Sequence, residues 1–203
     1  MKASELYYRL VKRTGVYNIM PIENIPSVIT NGILSNNEAK RIKHRSVAMP
    51  EIPQRRDKVK VPNGLDLHSY ANAYFDPRNP MMYKLHSNAE MLCVLKINAA
   101  ILDLDDVIVS DRNASCEFTR FEPSTIGIGH LDFQTIFLRD WCCDDMFKTW
   151  DQKAKKCAEI LVPNLIPYSF IDGAFVVDEN SKLKLFELGF SKKIAINKDI
   201  FFR

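Results

Sequence analysis

A single glutamate stands at the beginning of an apolar run in the segment KKCAEILVP, residues 155–163. The residues that follow Glu159 are typical of a buried strand. Burying an ionised carboxylate without a partner is costly or raises its pKa, so such a glutamate is paired, exposed at an edge, or turned toward a cleft. Glu159 is therefore either a salt-bridge partner at the end of a strand or a group placed to do chemistry.

Several other side chains could act with this glutamate on a charged nucleotide. Guanidinium groups and aromatic rings suit such a ligand, and a carboxylate can steer a hydroxyl or accept a proton. Each candidate also has a structural alternative: a surface charge for the arginines, core packing for the tyrosines, a turn-bonding amide for the asparagine. The candidates are Asn18, Arg55, Arg56, Tyr70 and Tyr74.

Common catalytic and metal-binding motifs are absent from the sequence. It contains no glycine-rich phosphate loop and no G-x-S-x-G, which argues against a Walker-type NTPase, a dinucleotide-binding βαβ unit and a serine hydrolase. An odd set of cysteines without C-x-x-C or clustered histidines predicts reduced thiols and no metal site. These cysteines are Cys93, Cys116, Cys142, Cys143 and Cys157.

Composition predicts one globular domain over residues 1–203. The chain is 46% hydrophobic and shows no linker, repeat or low-complexity run. No stretch approaches the roughly 18 to 20 apolar residues of a membrane span, so we expect a soluble cytoplasmic protein without a membrane partner. The net charge is only +3. The basic segment 39–61 is either a solvated face or a site for a polyanion.

Hydrophobic spacing predicts helices and strands in alternation over the first half of the chain. Pro80 and the capping pattern Ser35–Glu38 mark helix starts, and Gly15 and Gly32 mark helix ends. The predicted elements are a helix before Gly15, a strand at 16–20, a short helix before Gly32, a basic helix after Ser35, a loop at 47–66, a strand ending before Pro77, a short helix at 79–87 and an interior strand at 90–98.

In the second half, residues 103–130 read as an extended loop, and the period of 131–138 does not distinguish helix from strand. A helix at 144–156 leads into a strand at 157–162, and 173–188 reads as two strands around a turn. The sum is an α+β domain with a mainly antiparallel or mixed sheet and with helices concentrated in its first half.

Five segments, in order, resemble the DarT family of DNA ADP-ribosyltransferase toxins. They are VYNIMPIENIPSVITNGILS, RRDKVKVPNG, YANAYFDPRNPMMY, SDRNASCEFTRF and KCAEILVP, and the similarity runs from about residue 16 to about residue 177. The resemblance implies an ADP-ribosyltransferase-like split mixed or antiparallel sheet, with flanking helices around an NAD cleft. It also implies transfer of ADP-ribose from NAD⁺ to a base of single-stranded DNA, in a toxin–antitoxin system with a macrodomain antitoxin of the DarG type.

The resemblance assigns roles to individual residues. Glu159 aligns with the family's catalytic glutamate, and Arg56, or else Arg55, with its catalytic arginine. We expect the NAD⁺ site to contain Asn18, Met20, Asn24, Arg55, Arg56, Tyr70, Tyr74 and Tyr83. We expect the DNA strand to contact Arg45, Ser110, Asp111, Arg112, Asn113, Thr119 and Arg120; the alternative for Asp111 and Arg120 is a salt bridge within the loop.

Two positions depart from the family pattern. Asn18 stands where the family usually has a histidine that contacts the adenosine ribose of NAD⁺, and Met20 where it often has threonine. An asparagine side chain still donates and accepts hydrogen bonds, so NAD⁺ binding can persist. These departures suggest a divergent subgroup that modifies another base, such as guanine instead of thymine.

Two alternative functions remain open on the sequence. The same fold could modify RNA or protein, although the basic segment 39–61 weakly favours a nucleic acid. The chain could also be a catalytically inactive nucleotide-binding module, against which the retention of Glu159 with Arg55 and Arg56 argues. Turnover of NAD⁺ separates an enzyme from such a module.

Overall fold

The structure is a computed structural model that describes residues 1–42, 56–57, 59–62 and 64–203. The predictions for Arg45, Arg55 and most of the basic segment lie outside the described residues. The helices are α1 (Ala3–Val11), α2 (Ile25–Asn31), α3 (Asn36–Ala39), α4 (Pro80–Leu85), α5 (Ser124–Gly127), α6 (Phe133–Ile136), α7 (Met146–Lys156) and α8 (Glu179–Glu187). Short 3₁₀ turns join several of them.

The strands form one large sheet and one small one. They are β1 (Gly15–Pro21), β2 (Ile33–Leu34), β3 (Tyr70–Tyr74), β4 (Leu92–Asn98), β5 (Ile108–Ser110), β6 (Phe121–Pro123), β7 (Glu159–Pro163), β8 (Leu165–Ile166), β9 (Ile171–Val176) and β10 (Lys193–Ile196). The large sheet has the order β10-β9-β4-β1-β3-β7-β5-β6, and β2 pairs with β8. Because β9 and β10 are parallel and the other pairs antiparallel, the predicted mixed sheet is confirmed.

The large sheet parts at its middle, between β1 and β3. These strands share the single register pair Tyr17–Tyr74, whereas β1 runs alongside β4 over its whole length. Just beyond that pair, Asn18 Nδ2 donates a hydrogen bond to the Asn72 carbonyl, 2.9 Å away. This side-chain hydrogen bond takes the place of the next backbone hydrogen bond between β1 and β3. Beyond it the two half-sheets diverge.

Strand β4 lies between two hydrophobic cores, which accounts for its nearly continuous apolar sequence. Cys93, Leu95 and Ile97 join the larger core, which also contains Tyr7 of α1. Leu92 and Val94 join a second core on the opposite face. The prediction of an interior strand buried on both faces is confirmed, and the half-sheet that contains β1 and β4 is packed on both of its faces.

Local capping explains several of the confirmed elements. Ser35 Oγ accepts the Glu38 N–H at 3.3 Å and begins α3. Asn79 Oδ1 accepts the Met82 N–H at 3.0 Å, with Pro80 at the first turn of α4. Gly32, at φ +77°, follows the last residue of α2 and donates its N–H to Val28. The left-handed conformation favours glycine there because it lacks a Cβ.

The prediction that the first helix stops at Gly15 was wrong. Lys12 adopts the left-handed conformation at φ 57° and ends α1, while Gly15 begins β1. The prediction of an extended loop at 103–130 was also wrong in part, because β5 and β6 pair there as a hairpin and α5 follows. Three-residue strands carry too little periodicity for a sequence pattern to reveal them.

The segment 173–188 contains one strand and one helix, not two strands. The alternation KLKL suggested a strand, but Asp178 Oδ1 accepts the Ser181 N–H at 2.7 Å and starts α8, which buries Ser181 and Leu185 one turn apart. With α7 and α8 both in the second half, the expectation that helices concentrate in the first half was wrong as well. In the part of the chain that the structure describes, no helix has the length and apolar character needed to cross a membrane.

Candidate active site

A large cleft opens where the sheet parts between β1 and β3. Its volume is about 1110 Å³. Pockets for small ligands typically measure about 300–1,000 Å³, so this cleft can hold an extended ligand such as a dinucleotide. Residues of β1 and β3 form its floor, and α2, α4 and α7 form its sides. Each side therefore depends on a different part of the chain.

Glu159, the first residue of β7, is fully buried and held by several groups. Its two oxygens lie 3.2 and 3.1 Å from Arg56 Nη1, and Oε1 accepts the Ala114 N–H at 2.9 Å. Its own N–H donates to Ser110 Oγ, 3.1 Å away. A buried carboxylate is tolerated when paired and hydrogen-bonded in this way. The carboxylate is thus fixed in one orientation.

Arg56 separates this carboxylate from the cleft. Its side chain is 14% exposed and lines the cleft, while Glu159 lies directly behind it. The sequence left a pairing, an exposed edge or a cleft open for Glu159, and the structure pairs it with Arg56, one side chain behind the cleft surface. The bonds to Glu159 use Nη1 of a guanidinium that carries five N–H donors in a planar fork. The cleft surface therefore carries the positive charge of Arg56, and the carboxylate of Glu159 lies behind it.

Two tyrosines of β3, Tyr70 and Tyr74, line the cleft. Tyr74 lies directly opposite Glu159 in the ladder between β3 and β7. Burial, followed by the negative charge of Glu159, raises the pKa of Tyr74 well above its ordinary value, so the phenol stays neutral. Tyr70 OH accepts the Leu65 N–H at 3.0 Å and ties the preceding segment to the cleft.

Asn18, Met20 and Asn24 also line the cleft. Asn18 uses Nδ2 on the Asn72 carbonyl, and among the described residues no donor reaches its buried Oδ1. A buried acceptor without a donor costs free energy, so nearly all such atoms have a hydrogen-bond partner. Asn18 Oδ1 is therefore an acceptor available to a bound ligand.

Most polar side chains of the predicted DNA-contacting loop form hydrogen bonds or salt bridges within the protein. Asp111 and Asp151 flank Arg112 as salt-bridge partners, at 3.3 and 3.2 Å. Asp111 also accepts the backbone N–H of Arg120, whose side chain is exposed. The expected salt bridge within the loop thus involves Arg112 and not Arg120.

The structure brings one residue of that predicted loop set, Asn113, to the described cleft wall. Its carbonyl accepts the Thr119 hydroxyl at 3.0 Å, which closes the loop on itself. Ser110 is buried and supports Glu159 from behind. Tyr83, expected to bind NAD⁺, instead lies in an aromatic cluster with Trp141 and Phe202.

Sequence reasoning missed part of the cleft wall. Ser115, Cys116 and Glu117 line it from the loop, and Trp150 and Lys153 line it from α7. For α7 the sequence carried one signal, because Phe147 and Trp150 lie three residues apart in a segment that is otherwise mostly polar or charged. The loop residues carried no comparable signal.

A protein-family model described as "ssDNA thymidine ADP-ribosyltransferase, DarT" matches residues 17–202. A relative from Thermosipho africanus (strain H17ap60334), a "DNA ADP-ribosyl transferase-DNA ADP-ribosyl glycohydrolase fusion protein", is 29% identical over 188 residues. The match covers 90% of this chain and 45% of that protein. The chain thus spans about half the length of the fusion protein.

Two solved structures of Thermus sp. 2.9 DarT are similar to this fold. The complex with ADP-ribosylated ssDNA has a TM-score of 0.80 at 25% identity and covers 93% of this chain and 96% of that one. The complex with NAD⁺ has a TM-score of 0.74 at 26% identity and covers 92% and 96%. The predicted fold class is confirmed.

Proposed function

Because the chain belongs to the DarT family of ssDNA ADP-ribosyltransferases, we propose that it transfers ADP-ribose from NAD⁺ to a base of single-stranded DNA. We also propose that residues 1–203 act as a single ADP-ribosyltransferase domain. The observation that carries the proposal is the buried Glu159, clamped by Arg56 and the Ala114 N–H behind a cleft of about 1110 Å³. A purely structural salt bridge would not require such a cleft beside it.

The residues around the cleft fit NAD⁺ as the donor substrate. The cleft has room for a dinucleotide, and the guanidinium of Arg56 suits its diphosphate. Asn18 Oδ1 is a buried acceptor that a ribose hydroxyl or an amide could satisfy. Tyr70 and Tyr74 add aromatic walls. We propose these residues, with Met20 and Asn24, as the NAD⁺ site.

Glu159 would stabilise positive charge during the transfer. Bound NAD⁺ supplies an ADP-ribosyl group whose C1 becomes electron-poor as nicotinamide leaves. The Ala114 N–H holds this carboxylate in place when Arg56 turns to the substrate, and charge that is oriented in advance is where most electrostatic catalysis originates. Glu159 would also accept the proton from the attacking base nitrogen, which is a poor nucleophile until deprotonated.

Arg56 would control access to that carboxylate. In the structure its Nη1 is shared between both oxygens of Glu159. An anionic diphosphate that engages the same guanidinium competes with Glu159 for it, and so leaves the carboxylate freer to act on the substrate. A planar fork serves this exchange better than the single point charge of a lysine.

Two acceptor bases are compatible with this site. The description of the matching family model names thymidine, whereas Asn18 and Met20 motivate the hypothesis of a guanine acceptor. A single strand presents an unstacked base without the cost of opening a duplex, so a compact cleft can receive either base. Fragmentation of the product identifies the base, and a product modified on thymine alone would contradict the guanine hypothesis.

We propose a macrodomain antitoxin of the DarG type as the biological partner. The Thermosipho africanus relative combines a transferase and a glycohydrolase in one chain. A glycohydrolase that removes the modification is the activity a cell would need to survive such a transferase. Incubation of the modified oligonucleotide with that glycohydrolase should return it to its original mass, and resistance to removal would contradict the pairing.

The test of the function is to mix the protein with NAD⁺ and a pool of single-stranded oligonucleotides and to follow their mass. The expected result is a gain of one ADP-ribosyl unit, absent with Glu159→Ala and lowered about 10²–10³-fold or more with Glu159→Gln. Glu179→Gln, an exposed glutamate on α8, is the matched control. Release of nicotinamide without a change in the DNA would show that the protein cleaves NAD⁺ but that single-stranded DNA is not its acceptor. No release of nicotinamide would support an inactive nucleotide-binding module.

A further inference from the structure

Helix α7 has its apolar side chains on the wrong side for a helix that packs only against a core. Its buried residues are Thr149 and Lys156. Met146, Phe147 and Trp150 are instead 56%, 75% and 54% exposed. An amphipathic helix normally turns its large apolar residues inward, and a contiguous exposed apolar patch usually marks a binding surface. We call Met146, Phe147 and Trp150 the α7 ridge.

The α7 ridge is continuous with the cleft. Trp150 lines the cleft, and Lys153, one turn further along α7, lines it too. The rings of Phe147 and Trp150 meet edge to face, with centroids 5.7 Å apart and planes at 83°. Positions 147 and 150 lie on neighbouring turns of one helix face. A ligand that leaves the cleft along α7 therefore passes over Trp150 and then Phe147.

The charge on this helix favours an anionic ligand. Asp145 Oδ1 caps the first turn by accepting the N–H groups of Phe147 and Lys148. Asp151 is paired with Arg112 and Lys155. These carboxylates are thus engaged, while the side chains of Lys148 and Lys153 are exposed.

We infer that Phe147 and Trp150 form a stacking platform for the bases that flank the modified nucleotide, with Lys153 beside the backbone phosphates. The inference rests on the proposed function. A strand whose target base enters the cleft must continue past its rim, and aromatic rings interleaved with lysines are the chemistry that holds single strands. A protein partner would have no need for the ridge to run into the cleft.

The first test measures oligonucleotide KM for Phe147→Ala, Trp150→Ala and the double variant. Stacking on one aromatic side chain changes affinity by about 5- to 150-fold, so we expect each single variant to raise KM about tenfold and the double variant more. Nicotinamide release without DNA should stay near the unmodified rate in Phe147→Ala, because Phe147 is not among the described residues that line the cleft. Phe186→Ala, which removes a 68% exposed phenylalanine from α8, is the matched control.

The second test separates stacking from simple apolar contact. Trp150→Phe should restore most of the affinity that Trp150→Ala loses, whereas Trp150→Leu should not, because leucine has no π-face. Oligonucleotides with abasic sites beside the target base should bind the unmodified protein as weakly as Trp150→Ala binds an intact strand. Equal KM values for intact and abasic strands would overturn the inference.

Binding can also be followed without catalysis. Trp141 is 7% exposed and Trp150 is 54% exposed, so quenching of tryptophan fluorescence by an oligonucleotide reports mainly on Trp150. Quenching with a raised KM in the alanine variants supports the platform. DNA modification that proceeds with unchanged KM in Phe147→Ala/Trp150→Ala would reject the platform and leave the ridge to a protein partner. A complete lack of DNA modification by the unmodified protein, by contrast, would reject the proposed function itself.

Discussion

Single residues at the parting of the sheet determine what the cleft can bind. The carboxylate of Glu159 is oriented by the Ala114 N–H and by Arg56, and Arg56 forms the surface in front of it. Asn18 closes the gap between β1 and β3 with one end of its amide. Its other end, Oδ1, is buried in the cleft wall as an acceptor. The same asparagine therefore serves both the fold and the ligand.

Replacement of Asn18 by alanine should weaken NAD⁺ binding more than it slows the chemical step. A single hydrogen bond of about 1 kcal/mol corresponds to about a fivefold rise in the KM for NAD⁺, with kcat changed less than about twofold. Steady-state nicotinamide release measures both constants. Asn31→Ala on α2 serves as the control, and a KM for NAD⁺ that does not move in Asn18→Ala would show that Oδ1 has no part in binding.

At the scale of elements, the end of α7 is anchored by a buried lysine. Lys156 is fully buried, and its Nζ donates to Asp76 Oδ2 and to the carbonyls of Ile136 and Leu138, at 2.9, 2.8 and 2.6 Å. Burial lowers the pKa of Lys156, and the Asp76 carboxylate partly offsets that effect. Because Glu159 begins β7 three residues later, this anchor also positions the start of β7.

Lys156→Met should therefore destabilise the whole domain. The substitution leaves the Asp76 carboxylate and two carbonyls without their donor, and breaking a buried pair in this way costs about 3–5 kcal/mol. Urea denaturation measures the free energy of unfolding. Lys148→Met, an exposed lysine on the same helix, should change it by less than about 0.5 kcal/mol, and equal effects of the two variants would contradict the role assigned to Lys156.

Helix α8 gives a prediction about pH. The N–H of Ser181, followed by its side chain, lowers the pKa of Asp178 below its ordinary value of 3.8. A carboxylate with a depressed pKa contributes its stabilisation fully above the unfolded value, and this contribution is lost as the pH falls through the folded value. At neutral pH, Asp178→Ala should cost about 1 kcal/mol of unfolding free energy.

Below the folded pKa of Asp178, the difference between Asp178→Ala and the unmodified protein should shrink. Asp178→Asn separates capping from titration, because an amide caps the helix without a charge to lose. The difference in unfolding free energy between Asp178→Asn and Asp178→Ala should stay constant as the pH falls. A constant gap between the unmodified protein and Asp178→Ala at every pH would contradict this account of the cap.

At the scale of the whole molecule, charge placement matters more than net charge. The net charge is only +3. If lysines beside the cleft hold phosphates of a single strand, oligonucleotide affinity should fall with salt, at a logarithmic slope of about 0.7 per phosphate contact. Two contacts give about a sevenfold rise in KM between about 50 and 200 mM salt. Lys153→Gln should lower that slope by about 0.7, and an unchanged slope would remove Lys153 from the phosphate contacts.

Local patterns were sufficient for much of the fold. The helix starts at Ser35 and Asn79 and the helix end at Gly32 depend on neighbours within a few residues, so the sequence contains their whole cause. The hairpin of β5 and β6 and the helix α8 escaped prediction. The strands of the hairpin are too short to show an alternating hydrophobic pattern. In α8 the alternation KLKL indicates a strand, whereas the Asp178 cap starts a helix.

By itself, the sequence determined the chemistry of the site: a glutamate at a strand start, an arginine in a basic segment and tyrosines on a neighbouring strand. Only the tertiary structure decided the arrangement. It placed Glu159 behind Arg56 and turned Trp150 into the cleft wall. It also moved Tyr83 into an aromatic cluster. Residue types and their order are local properties, but burial and contact between residues far apart in sequence depend on how the half-sheets and α7 pack together.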